Sequence, residues 1–289
     1  MNIAISLGNA DVAQVPGVTN DDVQRIHFDL VRRLLENGHV AVYGGDLKPT
    51  GLSEQLIDIA AAAADDPDAV RQNPETRLRN GVAWPIWLNY SDDDLATLNL
   101  GAVFENFDPP AELGLDESQR ATFVPPDTPE RRVIWSRSFS AMRAQLDRTI
   151  DARLVVVGRG IGSSGAVPGI FEETLVALRG RTPLFLVGGF GGVAVSLIEA
   201  LTNGTTSVFT RETQAAHPGM AEFYEYLDQV GQAELADFEG MVGELHAAGL
   251  AGLNNGLSEE ENQTLFSCDD WDKVADLLID GLARLQRQA

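Results

Sequence analysis

The sequence holds a single cysteine, Cys268, which excludes an internal disulfide framework, and its four scattered histidines assemble no zinc-ligand spacing. Lysine is nearly missing: Lys48 and Lys273 stand alone, arginine supplies the other 19 positive charges, and the bias carries no functional weight. No stretch approaches the roughly 20 apolar residues needed to cross a bilayer. The first residues have no basic region and their apolar run soon ends, so nothing there reads as a signal peptide. A cytoplasmic protein with no membrane partner and no metal is expected. Positive charge is scarce overall, since 43 acidic against 21 basic residues leave a net charge of -22. Such a field repels phosphate backbones, which argues against nucleic acid as a partner. Any anionic ligand must be held locally.

What is present is enough for a sizeable core. At 289 residues and 44% hydrophobic content, a chain of this size buries roughly 75% of its unfolded surface. Ile3 to Gly8 reads as a first buried strand and Asp21 to Glu36 as a helix, with Val23, Ile26, Leu30, Leu34 and Leu35 at helical spacing. His39 to Tyr43 reads as a second strand and Leu52 to Ala64 as a second helix. Residues 65–130 form an irregular insertion, in which Trp84, Ile86, Trp87 and Leu88 suggest a strand packed on the core; the alternative is a linker. Helix Ser136 to Ile150, strand Leu154 to Val157, helix Phe171 to Leu178, strand Pro183 to Val187 and helix Val193 to Leu201 follow, and the remainder is helical. The reading is an α/β domain over residues 1–289: a parallel sheet with flanking helices and a helical C-terminal extension from about residue 205.

Three glycine-rich turns follow three of these strands. They are Gly44-Gly45-Asp46, the loop from Gly158 through Arg159, Gly160, Ser163 and Ser164 to Gly165, and Gly188-Gly189-Phe190-Gly191-Gly192. In a parallel sheet all three fall beyond the carboxyl ends of the strands, beside Ser6 and Gly8. Unhindered amides at a helix N-terminus can hold a phosphate without side-chain charge. Glycines also simply terminate strands, so the grouping of three carries the reading of a binding cleft. No GxGxxG follows the first strand and no turn ends in GK[ST], so neither the dinucleotide fingerprint nor triphosphate hydrolysis is supported.

The second loop leads through Pro168 and Gly169 into Glu172 and Glu173 at the start of a helix. The helix dipole alone favours acids there. Neighbouring helical residues point about 100° apart, so one of the pair faces the cleft, with Glu172 preferred; it could hold a ribose or assist cleavage at an anomeric carbon. Arg159 is the cation beside the loop, to be weighed against pairing with one of the many acids; for Arg137 and Arg143 pairing is the preferred reading. His27 is placed on the helix surface, no histidine has an evident catalytic partner, and Cys268 beside Asp269 and Asp270 is a poor nucleophile.

Taken together, Ile5 to Gly8, Ala41 to Leu47, Pro168 to Glu173, Leu186 to Gly192 and the tail Leu253 to Asn262 resemble the prokaryotic SLOG branch related to the N-terminal region of TRPM channels. The resemblance implies a Rossmann-like sheet that binds nucleotides or NAD-derived molecules such as ADP-ribose and its cyclic forms. It also implies a setting of antiphage or stress signalling, with TIR-containing partners or a homo-oligomer as output. SLOG proteins include LOG-type phosphoribohydrolases, which use PGGxGTxEE with a catalytic arginine and glutamate. Here Pro168-Gly169 and Glu172-Glu173 are kept but the intervening GGxGT is not. The leading expectation is therefore a sensor of a nucleotide-derived ligand that needs no further cofactor. The alternatives are a hydrolase of N-glycosidic bonds using Glu172, Glu173 and Arg159, or a structural subunit.

Overall fold

A computed structural model describes residues 1–8, 18–45, 51–62, 77–91, 93 and 102–288. Within them, β1 (Asn2–Ser6), β2 (Val40–Gly44), β3 (Leu78–Ala83), β4 (Val103–Phe107), β5 (Ala152–Val156) and β6 (Leu184–Val187) form one six-stranded sheet in the order β4-β3-β2-β1-β5-β6. Every pairing is parallel, with Ile3 beside both Ala41 and Ala152. The chain builds outward from β1 to β4 and then returns to the other side of β1. The carboxyl ends of β1 and β5 therefore diverge into helices on different sides, which leaves a crevice at that end.

Side-chain alternation assigns the two faces. Ile3, Ile5, Leu154 and Val156 point to a layer formed by α1 (Asn20–Glu36), α2 (Leu52–Ala62) and the last helix. Ala4, Ser6, Arg153 and Val155 point to the other, which α4 (Pro129–Asp147) and α5 (Gly169–Gly180) cover, α3 (Glu117–Arg120) being a single turn before them. Thr128 accepts from the Arg131 amide and Pro129 follows it, so α4 begins seven residues before the Ser136 expected from periodicity.

The insertion differs from expectation. The strands are Leu78–Ala83 and Val103–Phe107, and Ile86–Asn89 is a 3-10 turn after the cis Trp84-Pro85 bond. Arg79 and Glu105 disguise both strands, and they pair across them at 2.5 Å. Trp84 is nonetheless buried, as a core residue.

After α6 (Val193–Asn203) the chain is helical: α7 (Arg211–Ala215), α8 (Met220–Gln229), α9 (Phe238–Ala248), α10 (Glu259–Ser267) and α11 (Trp271–Gln288). Phe223, Leu227, Val242 and Leu245 join the α5 and α6 core, whereas Val274, Leu278 and Leu282 cross to the α1 face. On the way the tail seals the edge of β6: Asn255 donates to the Leu184 carbonyl at 2.9 Å, and Gly188 N donates to Leu265 O at 3.0 Å. Among the described residues no helix is long and apolar enough to cross a membrane, and no cluster of His, Cys, Asp or Glu could hold a metal.

His27 is buried, not on the surface, because with Val23, Leu30, Val31 and Leu34 it completes the inward face of α1. Burial pushes its pKa from 6.5 to about 4, against a hydrogen bond with the Val156 backbone that acts the other way. Between those values the unfolded chain takes up a proton that the folded chain does not. The contribution is complete above pH 6.5 and is lost as the pH falls toward 4. Chemical denaturation of wild type against His27→Leu from pH 7 to pH 4 should show the wild type losing about 3 kcal/mol more across that window; parallel curves would contradict this account.

Candidate functional site

A cavity of about 660 Å³ opens at the carboxyl end of the sheet where the strand order reverses. Gly8 after β1, Tyr43 to Gly45 at β2 and the loop after β5 form its floor and rim, while α4 and the start of α5 form the far wall. The turn out of β5 is forced: Val157 and Gly158 both adopt positive φ, 62° and 83°. For the branched valine this costs on the order of 1–3 kcal/mol, a strain found where a chain must be aimed. At position 158 the positive φ favours glycine, and a Cβ there would also lie 2.3 Å from the tip of Ile170.

Beneath the cavity sits a buried polar cluster. Arg153, 2% exposed as the second residue of β5, donates from Nη1 to Ser6 Oγ and to Glu173 Oε2, each at 2.9 Å. Ser6 donates to the same Glu173 oxygen at 2.5 Å, and Arg153 Nη2 lies 3.5 Å from Asp147 of α4. Thr182 donates to the other oxygen of Asp147 at 2.9 Å. One arginine thus ties β1, β5, α4 and α5 together, and it fixes the carboxylate that borders the cavity. Arg143 forms the second tier. Its Nη1 pairs with Glu172, its Nε lies 3.6 Å from Glu173, and its guanidinium covers the Phe139 ring at 5.3 Å. Gly169 leaves it room, since a Cβ there would lie 2.7 Å from Arg143 Nη2.

Helix geometry reverses the preference between the two acids. Glu173 borders the cavity, whereas Glu172 is turned to α4, where Ser140 and Arg143 hold it. Arg159 is exposed at the mouth and pairs with no acid among the described residues. Arg143 pairs with acids as expected yet borders the cavity too, whereas Arg137 is 3.8 Å from Glu234. The α5 N-terminus at Pro168 and Gly169 has no side-chain cap, so its first amides remain available to the cavity.

Of the glycine-rich turns, Gly44 and Gly45 line the cavity, and Asp46 lies outside the described residues. Ser163 and Ser164 line it as well. Gly160 instead accepts from Gln214 at 2.7 Å, and the Gly165 amide donates to Ser163 Oγ at 3.1 Å. The third turn is apart. Gly188 to Gly192 follow β6 at the same edge of the sheet but border no part of this cavity. The α6 amides they lead into are already used, Val193 N by Gly158 O at 2.9 Å and Ala194 N by Val157 O at 3.3 Å. Gly189 is pressed against the Cys268 backbone, so that a Cβ would lie 1.8 Å from its carbonyl oxygen, and Phe190 is buried edge-on to Trp271. These glycines allow a close joint with the tail, and a glycine-rich turn alone does not distinguish a joint from a cradle. Periodicity also gave no sign that Trp135 and Phe139 of α4, with Phe123, line the cavity. Only their recurrence at i and i+4 pointed to one shared face.

The fold and cleft define a three-layer α/β protein with a ligand-sized cavity at the reversal of strand order. The family described as SLOG cluster2 matches residues 1–265, and the chain belongs to it. Membership places the chain among proteins of nucleotide-related binding or glycosidic-bond cleavage. No curated protein matches the sequence. The X-ray structure of TM1055, a structural-genomics target, is similar at 17% identity over 71% of this chain and 84% of that one, with a TM-score of 0.39.

Removing Arg153 leaves the buried Asp147 without a cation and takes from Glu173 its partner at 2.9 Å, a change that costs about 3–5 kcal/mol in comparable buried pairs. Arg153→Met should therefore lower the melting temperature by roughly 6 °C or more, while Arg159→Ala leaves it within about 1 °C, as surface substitutions do. Equal melting temperatures for the two variants would refute the buried clamp.

Proposed function

We propose that this cavity binds an NAD-derived nucleotide such as ADP-ribose or one of its cyclic forms. The observation that carries the reading is the convergence, at one cavity, of the N-terminus of α5, without a side-chain cap, and an exposed Arg159 that pairs with no acid among the described residues, beside a carboxylate held in place. In a chain of net charge -22, an anion is held only where backbone amides and a free cation meet. Glu173 lies where it can accept hydrogen bonds from ribose hydroxyls. The resemblance to SLOG sensors supports a signalling role in bacterial defence or stress, with output through a TIR-containing partner or a change of oligomer.

A second reading has its own support. Arg143 and Glu173 approach to 3.6 Å at the cavity, and an arginine with a glutamate is what the resemblance associates with phosphoribohydrolases. In that case Glu173 would orient the water whose oxygen bonds to the anomeric carbon, or stabilise the cation developing there, as the bond to the base breaks, and the proton lost by that water balances the one taken up by the leaving nitrogen.

Incubation with NAD, ADP-ribose, cyclic ADP-ribose and AMP, read by melting temperature and chromatography together, separates the two. Sensing predicts a selective rise of roughly 5 °C at a hundredfold excess over Kd with the ligand recovered intact. Turnover that Glu173→Gln abolishes while binding persists would establish the hydrolase. Silence with every compound would defeat both.

A further inference from the structure

Four large hydrophobic side chains are exposed among the described residues: Phe28, Phe123, Ile161 and Val230. Two of them, Phe123 and Ile161, come from distant segments and border the same cavity. Exposed apolar surface gathered at a concave site marks a place that a ligand covers. Phe123 opens an aromatic row. Its ring meets Trp135 edge-on at 6.2 Å, and Trp135 meets Phe139 edge-on at 5.4 Å. Trp135, Phe139 and Arg143 recur at four-residue intervals, which stacks them along one face of α4. The Trp135 indole donates to the Val124 carbonyl at 2.6 Å, which fixes the ring against the segment that carries Phe123. The row ends where Arg143 covers Phe139 and approaches Glu173.

The cavity wall therefore runs from apolar and aromatic, through a charged pair, to a rim with the exposed Arg159 and the start of α5. An apolar ligand would leave the charged rim unused, and a bare sugar phosphate would leave Phe123 in water. We propose that Phe123, Trp135 and Phe139 form the subsite for the planar base of the ligand. The sugar then lies against Glu173 and the phosphate at the Arg159 rim. This deepens the nucleotide reading and rests on it. An exposed ring can stack on any base face, so the subsite selects for a flat heteroaromatic group more than for a particular pattern of ring hydrogen bonds.

Calorimetric titration of AMP, ADP-ribose and ribose 5-phosphate into wild type, Phe123→Ala and Phe123→Trp tests this. Phe123 is exposed, so its replacement leaves folding intact. Wild type should bind AMP or ADP-ribose at least about tenfold more tightly than ribose 5-phosphate; Phe123→Ala should lose about tenfold for the nucleotides alone, and Phe123→Trp should retain their affinity. Unchanged nucleotide affinity in Phe123→Ala, or equal weakening of all three compounds, overturns the base subsite while leaving the phosphate site standing. If none of the three binds to wild type, the nucleotide reading itself fails and the subsite falls with it.

Discussion

The reversal of strand order between β1 and β5 is the constraint on which the site depends. It opens a crevice at the carboxyl end of the sheet, and by pairing β1 with β5 it sets Arg153 opposite Ala4 and diagonal to Ser6 on one face, within reach of the Ser6 hydroxyl. An arginine within a buried strand is costly to desolvate, and it persists because Ser6, Glu173 and Asp147 surround its head. The clamp that makes Arg153 tolerable also locks the first turn of α5 against the sheet. The position of Glu173 and the open amides of the first turn, from Gly169 onward, follow from it. Arg143 then adds a second positive charge without adding freedom, because Gly169, Phe139 and both glutamates confine it.

Two helices start from glycine-rich sequence at the same edge of the sheet, and they are used differently. The α6 N-terminus is closed by the carbonyls of Val157 and Gly158, so the strained turn after β5 is held in place by the helix beside it. The α5 N-terminus faces the cavity uncapped. In a strongly acidic protein this division matters: one helix dipole stabilises the loop, and the other is left to attract an anion. The C-terminal tail completes the arrangement by covering the edge of β6 and packing Cys268 against Gly189.

Much of this was legible in the sequence, for definable reasons. The strands β1, β2, β5 and β6 are short apolar runs buried on both faces, and such runs are plain to read. The strands β3 and β4 were hidden because Arg79 and Glu105 satisfy each other only once the strands are paired. The helix start at Thr128-Pro129 carried a capping signal that apolar spacing overlooks. His27 looked like a surface residue until its place on the inward stripe of α1 was resolved. In the site, Gly8, Gly44, Gly45, Arg159, Ser163 and Ser164 are local features, and they border one cavity. Trp135, Phe139 and Arg143 share one face of α4 by their four-residue spacing, but that this face meets Glu172 and Glu173 at the cavity is a contact between segments about 30 residues apart, which no local pattern announces.

Amide hydrogen exchange in the presence and absence of saturating ADP-ribose tests the central claim most directly, since it reads the ligand's place along the chain. The account predicts added protection at residues 6–8, 158–164 and 169–173, with the turn at 188–192 unchanged. Protection confined to residues 188–192, or spread without regard to the β1 and β5 ends, would contradict a site at the strand reversal.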